Sequence, residues 1–280
     1  MIITLSDIQN MYDKDIQFTH ITKNIHIKDI NISTDIDKLH HELYAIYKFK
    51  SPTPHTITIN NKQELITTEN FNFCTLQNDT CISDSLRQNI LFEKFLMALL
   101  SKIINPHKNM LDVGANIGVW SIVFSTFMTG NIYAFEPQEE IFNCLINNIK
   151  INQCKNVIPY NLALSDTNTT YLMNASYDTF NNFGAFKICS DGKLPINAVI
   201  GDELNLLNIG FIKIDVEGHE LKTLMGLSKI IQKNKPIILI EIHISQEDCN
   251  NTFNYIIDLG YKYVLKITHC DYLFLYDNVN

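Results

Sequence analysis

The stretch Leu111-Asp112-Val113-Gly114-Ala115-Asn116-Ile117-Gly118 joins a short apolar run to a helical pattern. Gly114 and Gly118 permit a tight turn and let the backbone approach a ligand closely. A dinucleotide fingerprint requires G-x-G-x-x-G. Here Asn116 stands in the middle glycine's place, so a pyrophosphate cradle is not reproduced. A ligand with a carboxylate end and a positive charge, of the S-adenosylmethionine (SAM) type, fits the turn better, because its carboxylate can meet the turn amides and the helix N-terminus. Asp112 adds negative charge that can order the loop.

Outward from this turn the chain alternates. Strands are predicted at Met110–Val113, Asn131–Phe135, Val157–Leu162, Gly210–Ile214 and Pro236–Ile242, with helices over 117–127, 138–149, 219–232 and 246–259. Such alternation implies a parallel sheet covered on both faces, with ligands at the carboxyl ends of its strands. Two last strands, Tyr261–Ile267 and Tyr272–Tyr276, are close enough to pair as a hairpin, which adds an antiparallel element. The fold class is therefore α/β: a Rossmann-like, mostly parallel sheet of seven strands with an antiparallel C-terminal hairpin. Upstream lies an α+β extension. It comprises a helical pattern of Ile36, Leu39, Leu43 and Ile46 after Ser33-Thr34-Asp35, a strand at 55–59 with a partner near 64–68, and a continuous helix over 86–104. Residues 165–200 are polar and irregular and read as an insertion over one sheet edge. The expected division is 1–78, a cap or assembly region, and 79–280, the catalytic domain.

Further motifs sit at strand ends. Glu136-Pro137 follows Gly114 by a little over twenty residues, where an acid accepts hydrogen bonds from ribose hydroxyls. The run Asn161-Leu162-Ala163-Leu164-Ser165-Asp166 supplies small and polar residues able to flank an adenine. In Lys213-Ile214-Asp215-Val216-Glu217-Gly218-His219-Glu220, Asp215 faces the cleft, while Glu217 and Glu220 also suit a helix first turn. In Glu241-Ile242-His243 the two ionisable residues share one face of a strand, and His243 is placed to act as a base.

Taken in order, DVGANIG, EP, NLALSD, KIDVEGHE and IEIH resemble the FkbM-family methyltransferases over roughly Asp79 to His243. The resemblance implies SAM-dependent O-methylation of a hydroxyl, commonly on a sugar or a glycosylated product. It implies that Gly114, Asn116 and Gly118 line the methionine end of SAM, that Glu136 takes the ribose, and that Asn161 to Ala163 border the adenine. Asp215 would sit at the acceptor side, and Glu93 would border the SAM pocket. The segment Asn181–Lys187 departs from the family's glycine-bearing pattern, which leaves the acceptor open.

For catalysis, Asp215 or His243 is expected to take the hydroxyl proton, with Glu217 beside them. Alternatively Asp215, Glu217 and His243 would hold Mg²⁺ through oxygen-rich ligation.

Composition bounds the rest. The 280 residues carry 46% hydrophobic and 19% charged side chains, enough for a packed core. A net charge of −8 without a Lys/Arg block argues against a general grip on nucleic acid. RNA methylation and a non-catalytic SAM-fold subunit are the rival functions. Seven cysteines without a C-x-x-C pair suggest reduced thiols. The N-terminus lacks a signal-peptide pattern, and no apolar run is long enough to span a bilayer. A cytoplasmic chain is expected, with a small-molecule or glycan acceptor and a homo-oligomer as one assembly for residues 1–78.

Overall fold

The computed structural model describes residues 19–20, 54–177, 180–245 and 248–276. The helical pattern at 36–46 lies outside them. Thr19–His20 (β1) is a two-residue edge strand. His55–Thr58 (β2), Gln63–Thr67 (β3) and Asn72–Leu76 (β4) form an antiparallel meander. β4 was not expected from the sequence. It buries Phe73 and Cys74 completely, and its register on β3 completes a small sheet.

Two short helices follow, Ile82–Arg87 (α1) and Lys94–Ile103 (α2). The sequence predicts one helix over 86–104, from the end of α1 through α2. It breaks because Asn89 and Glu93 take left-handed backbone, with φ of 60° and 55°, a conformation that ends right-handed helices.

From Asn109 the expected alternation holds. The elements are Asn109–Val113 (β5), Val119–Ser125 (α3), Ile132–Phe135 (β6), Glu139–Ile151 (α4) and Val157–Tyr160 (β7). Residues 165–200 are more regular than their composition suggests. Ala163–Ser165 (β8), Thr169–Met173 (β9) and Leu194–Ile200 (β10) make a mixed sheet in the order β8-β10-β9. After Ile209–Ile214 (β11), the expected single helix is two, Glu220–Gly226 (α5) and Ser228–Asn234 (α6). The chain closes with Ile237–Glu241 (β12), Cys249–Asp258 (α7), Tyr261–Lys266 (β13) and Asp271–Tyr276 (β14).

The main sheet has the order β1-β13-β14-β12-β11-β5-β6-β7. Strands β12, β11, β5, β6 and β7 run parallel. β14 inserts between β12 and β13, antiparallel to both. This is the seven-strand sheet with its C-terminal hairpin, extended at one edge by β1. Its strands are apolar on both faces because helices cover both. Met110, Phe211, Leu239 and Leu273 pack toward α2, α3, α4 and the meander. Their neighbours Leu111, Ile212, Ile238 and Phe274 pack toward α5, α6 and α7. The meander is tied to α4 by Asn148, whose Oδ1 accepts from Cys74 N at 2.5 Å and whose Nδ2 donates to Cys74 O at 3.0 Å. No helix among the described residues is long and apolar enough to cross a membrane.

Candidate active site

The carboxyl ends of β5, β6, β11 and β12 open onto a cavity of about 400 Å³. Gly114 turns there with φ +80° and lies against the next strand's exit. A Cβ at Gly114 would stand 1.8 Å from the Asp215 carbonyl oxygen, and Asp215 N donates to Val113 O at 3.0 Å. Asn116 follows in left-handed backbone, φ 52°. Its N–H donates to Glu136 Oε2 at 3.0 Å, while Gln138 N donates to Glu136 Oε1 at 2.9 Å. Two backbone amides thus hold the buried Glu136 carboxylate across the β5 and β6 turns. Burial pushes its carboxyl up to about 7.

Gly114, Asn116, Glu136, Ala163, Asp215, Glu217 and His243 all line the cavity. Three other expected residues do not. Asp112 is fully buried below the loop, where its Oδ2 accepts from Ser121 Oγ at 2.6 Å and its Oδ1 has no hydrogen-bond partner. Gly118 serves packing, since a Cβ there would meet Leu145 Cδ1 at 2.4 Å. Asn161 donates to the carbonyls of Glu136 at 2.9 Å and Pro137 at 3.1 Å, so it braces the Glu136 loop while Leu162 and Ala163 face the cavity.

A buried lysine organises the charges. Lys213 Nζ donates to Asp215 Oδ2 at 2.9 Å and stands 5.7 Å from the centre of the Trp120 ring. Burial favours loss of its proton, but Asp215, Glu93 and Asp112 outweigh this and hold the ammonium above its ordinary range. In return, although burial alone would raise the Asp215 carboxyl, Lys213 holds it below its usual value. Glu93 accepts from Trp120 Nε1 at 2.6 Å, and burial pushes its carboxyl up to about 7 against the pull of Lys213. Glu217, with φ 54°, is raised to about 7 by burial and then by Asp215. Glu241 is raised to about 8 by burial and Asp215. Lys213 and Glu241 lie within the quoted motifs, but their spacing alone assigns neither a role. A lone lysine amid the buried residues of β11 was the available signal.

His219 also lines the cavity, but its ring is held by neighbours. Its Nε2 lies 2.9 Å from Ser165 Oγ and its ring meets Tyr171 edge-on, and burial with Lys222 lowers its pKa to about 4. Glu220 Oε1 accepts from Gly218 N at 2.8 Å, a cap at the start of α5.

The set proposed for Mg²⁺ is not the one the fold assembles. Asp215 and Glu217 are joined by Glu241, with carboxylate oxygens within 4.8 Å of one another, and His243 groups instead with His269 and Cys270. Among the described residues no lysine or arginine lines the cavity, whereas Asp79, Glu93, Glu136, Asp215, Glu217 and Glu241 do. This charge set suits a cationic ligand with ribose hydroxyls and repels a pyrophosphate.

Residues 112–263 match the methyltransferase FkbM domain. The chain is 31% identical over 155 residues to the hexuronic acid methyltransferase AglP of Haloferax volcanii, covering 54% of this chain and 62% of that protein. It thus spans less than two thirds of that relative's length. Among solved structures, the FkbM methyltransferase of Methylobacillus flagellatus aligns with a TM-score of 0.46 at 19% identity, over 61% of this chain and 44% of the other. The Pyrococcus abyssi tRNA (uracil-54, C5)-methyltransferase, solved with S-adenosyl-L-homocysteine, aligns with a TM-score of 0.44 at 12% identity, over 77% and 44%. The domain match takes in the glycine turn, Glu136 and the Lys213–Glu220 segment, more than half of the chain, and the chain belongs to the FkbM methyltransferase domain family.

Proposed function

We propose that this chain is a SAM-dependent O-methyltransferase acting on a hydroxyl of a sugar or a glycosylated small molecule. The observation that carries the reading is the single cavity in which Gly114, Asn116 and Glu136 stand beside Asp215, Glu217 and Glu241. The first three fit SAM: a backbone turn without Cβ obstruction, an amide-held carboxylate for the ribose, and surrounding negative charge for the sulfonium and ammonium. SAM, when bound, supplies an electrophilic methyl group on sulfur. The residues of the chain align the acceptor oxygen and manage its proton. Asp215, paired with Lys213, keeps a fixed negative charge near the methyl donor. Glu217 is the carboxyl that takes the hydroxyl proton, and His243 lies at the acceptor side. Three neighbouring carboxyl groups suit a neutral hydroxyl better than an acceptor carboxylate, which they would repel. The similarity to the hexuronic acid methyltransferase supports the sugar class.

The test is transfer of labelled methyl from SAM to a panel of glycans, nucleotide-sugars and RNA, followed by mild alkali. Label in a sugar that resists alkali is expected, as for an ether. Label released by alkali would place the methyl on a carboxylate, and label in RNA alone would overturn the sugar reading.

A further inference from the structure

A second cluster lies on the rim, at the turn that joins β13 to β14. His243, His269 and Cys270 each offer a ligand atom, and these atoms lie within 4.8 Å of one another. Two separate elements bring them together. Ile242 N donates to Cys270 O at 2.7 Å, which lays the end of β12 against the turn. Thr268 Oγ1 then accepts from Cys270 N at 3.3 Å and Asp271 N at 3.0 Å, fixing the turn itself. Cys270 is buried, His243 half-buried and His269 exposed, so the cluster has a closed side and an open one.

Glu241 links this cluster to the cavity. Its Oε1 accepts from Cys270 Sγ at 3.0 Å and lies 3.4 Å from His243 Nε2. A carboxylate beside a ligating imidazole is the usual outer partner that fixes donor orientation in a metal site, and Glu241 also accepts the hydrogen bond of the proton that Cys270 must release. The donor set is two imidazoles and one thiol. Such N/S sets select borderline-soft ions of the Zn²⁺ class over Mg²⁺ or Ca²⁺, which prefer oxygen.

We infer that His243, His269 and Cys270 form a binding site for a divalent ion of the Zn²⁺ class, with Glu241 as its outer-shell partner. Binding replaces the Cys270 thiol proton, which leaves to solvent, with a metal–sulfur bond. Three protein donors would leave a fourth position for water or another ligand, and one of the three, His243, also lines the cavity. The site differs in donors and in ion class from an Mg²⁺ site built on Asp215 and Glu217. It does not depend on methyl transfer, because its readout is metal binding.

The test uses the full chain, stripped with a chelator and titrated with Co²⁺ as a spectroscopic probe, then with Zn²⁺ as competitor. One equivalent of Co²⁺ giving a thiolate-to-cobalt charge-transfer band, bleached by one equivalent of Zn²⁺, is expected. Cys270→Ser should lose that band. His269→Ala, a change at an exposed side chain, removes a ligand and should weaken binding by at least the roughly tenfold to hundredfold that loss of an outer-shell partner costs. A band that survives Cys270→Ser, a Co²⁺ affinity unchanged in His269→Ala, or no band in the parent chain overturns the site. Calorimetry with SAM on the same samples reports separately on the cofactor pocket, so loss of metal binding and failure of the methyltransferase reading are distinguishable.

Discussion

The Asp215 carbonyl oxygen occupies the space that a side chain on Gly114 would need: a Cβ there would lie 1.8 Å from it. Two adjacent strand exits, β5 and β11, therefore meet backbone to backbone at the cavity floor. The turn also has positive φ at Gly114, so a substitution is strained twice, by conformation and by collision. Gly114→Ala is expected to abolish SAM binding in calorimetry and to destabilise the chain by about 2–4 kcal/mol in urea unfolding. Normal SAM affinity in a Gly114→Ala chain would show that the two exits separate freely.

Lys213 neutralises the acids packed around it. Lys213→Met removes the ammonium and keeps the aliphatic bulk beside Trp120. Asp215, Glu93 and Asp112 then share a buried site without their cation, at a cost of about 3–5 kcal/mol near neutral pH. Acid protonates these carboxyls, so the deficit relative to the parent chain should shrink as pH falls from 8 to 5. A deficit independent of pH would point to lost packing alone. The measurement is the urea midpoint of both chains across that range.

The fold was largely legible because its strands and helices carry complementary patterns over long runs. The glycine turn, the five parallel strands and the closing hairpin are all written locally. What was missed has local reasons too. The break between α1 and α2 depends on Asn89 and Glu93 taking left-handed backbone, while the apolar spacing continues across it. Strand β4 pairs with β3 across a local turn, but four of its five residues are buried, without the polar alternation that marks a strand, and its outer backbone is tied to Asn148 on a distant helix. At the site, strand ends identified which residues converge. Periodicity does not tell whether a side chain lines a cavity or braces it, and Asp112, Gly118 and Asn161 brace or pack. The Lys213–Asp215 pair and the approach of Glu241 to the carboxylates depend on strand order and register, which neither motif contains.

If Glu136 takes the ribose as proposed, its titration has opposed effects on stability and on SAM affinity. Its folded pKa, about 7, lies above its ordinary value of 4.5. Between these values the folded chain holds a proton that the unfolded chain has released. The stability from Glu136 is therefore full below 4.5 and is lost as pH rises through 7, by about 1.4 kcal/mol for each unit of displacement. Ribose hydroxyls need the ionised carboxylate, so SAM affinity should rise over the same interval. Glu136→Gln should remove the SAM slope in calorimetry and lessen the stability slope in thermal-shift series, where Glu93, Glu217 and Glu241 contribute with the same sign. Persistence of the SAM slope in that variant would assign it to another group.

His219 acts with the opposite sign. Its folded pKa, about 4, lies below the ordinary 6.5. Its contribution is present above 6.5 and is lost as pH falls toward 4, when the buried ring must accept a charge. His219→Asn should make stability less acid-sensitive in that window, as read from melting temperatures at pH 7 and pH 4.5. An unchanged difference between the two temperatures would place the acid sensitivity elsewhere. Because Glu136 and His219 titrate over overlapping ranges with opposed effects, each is read against its own variant.

Gln138 joins the Glu136 carboxylate to the segment after β9. Its backbone N–H donates to Glu136 Oε1, its side-chain Nε2 to Phe183 O at 3.3 Å, and its Oε1 accepts from the Tyr177 hydroxyl at 2.9 Å. Tyr177 meets Phe183 and Phe186 edge-on at 5.2 and 5.4 Å, and Phe186 lines the cavity. Tyr177→Phe removes only the hydroxyl bond, about 1 kcal/mol, and leaves the aromatic packing intact. It should raise the acceptor KM by about fivefold while SAM affinity stays near that of the parent, because Glu136 keeps both amide donors. Gln138→Ala keeps the backbone donor and loses both side-chain bonds, so its effect on the acceptor should exceed that of Tyr177→Phe. Equal loss of SAM affinity and acceptor KM in Tyr177→Phe would mean that the segment holds the cofactor and not the acceptor. The comparison separates the two ends of one cavity with a single hydroxyl group.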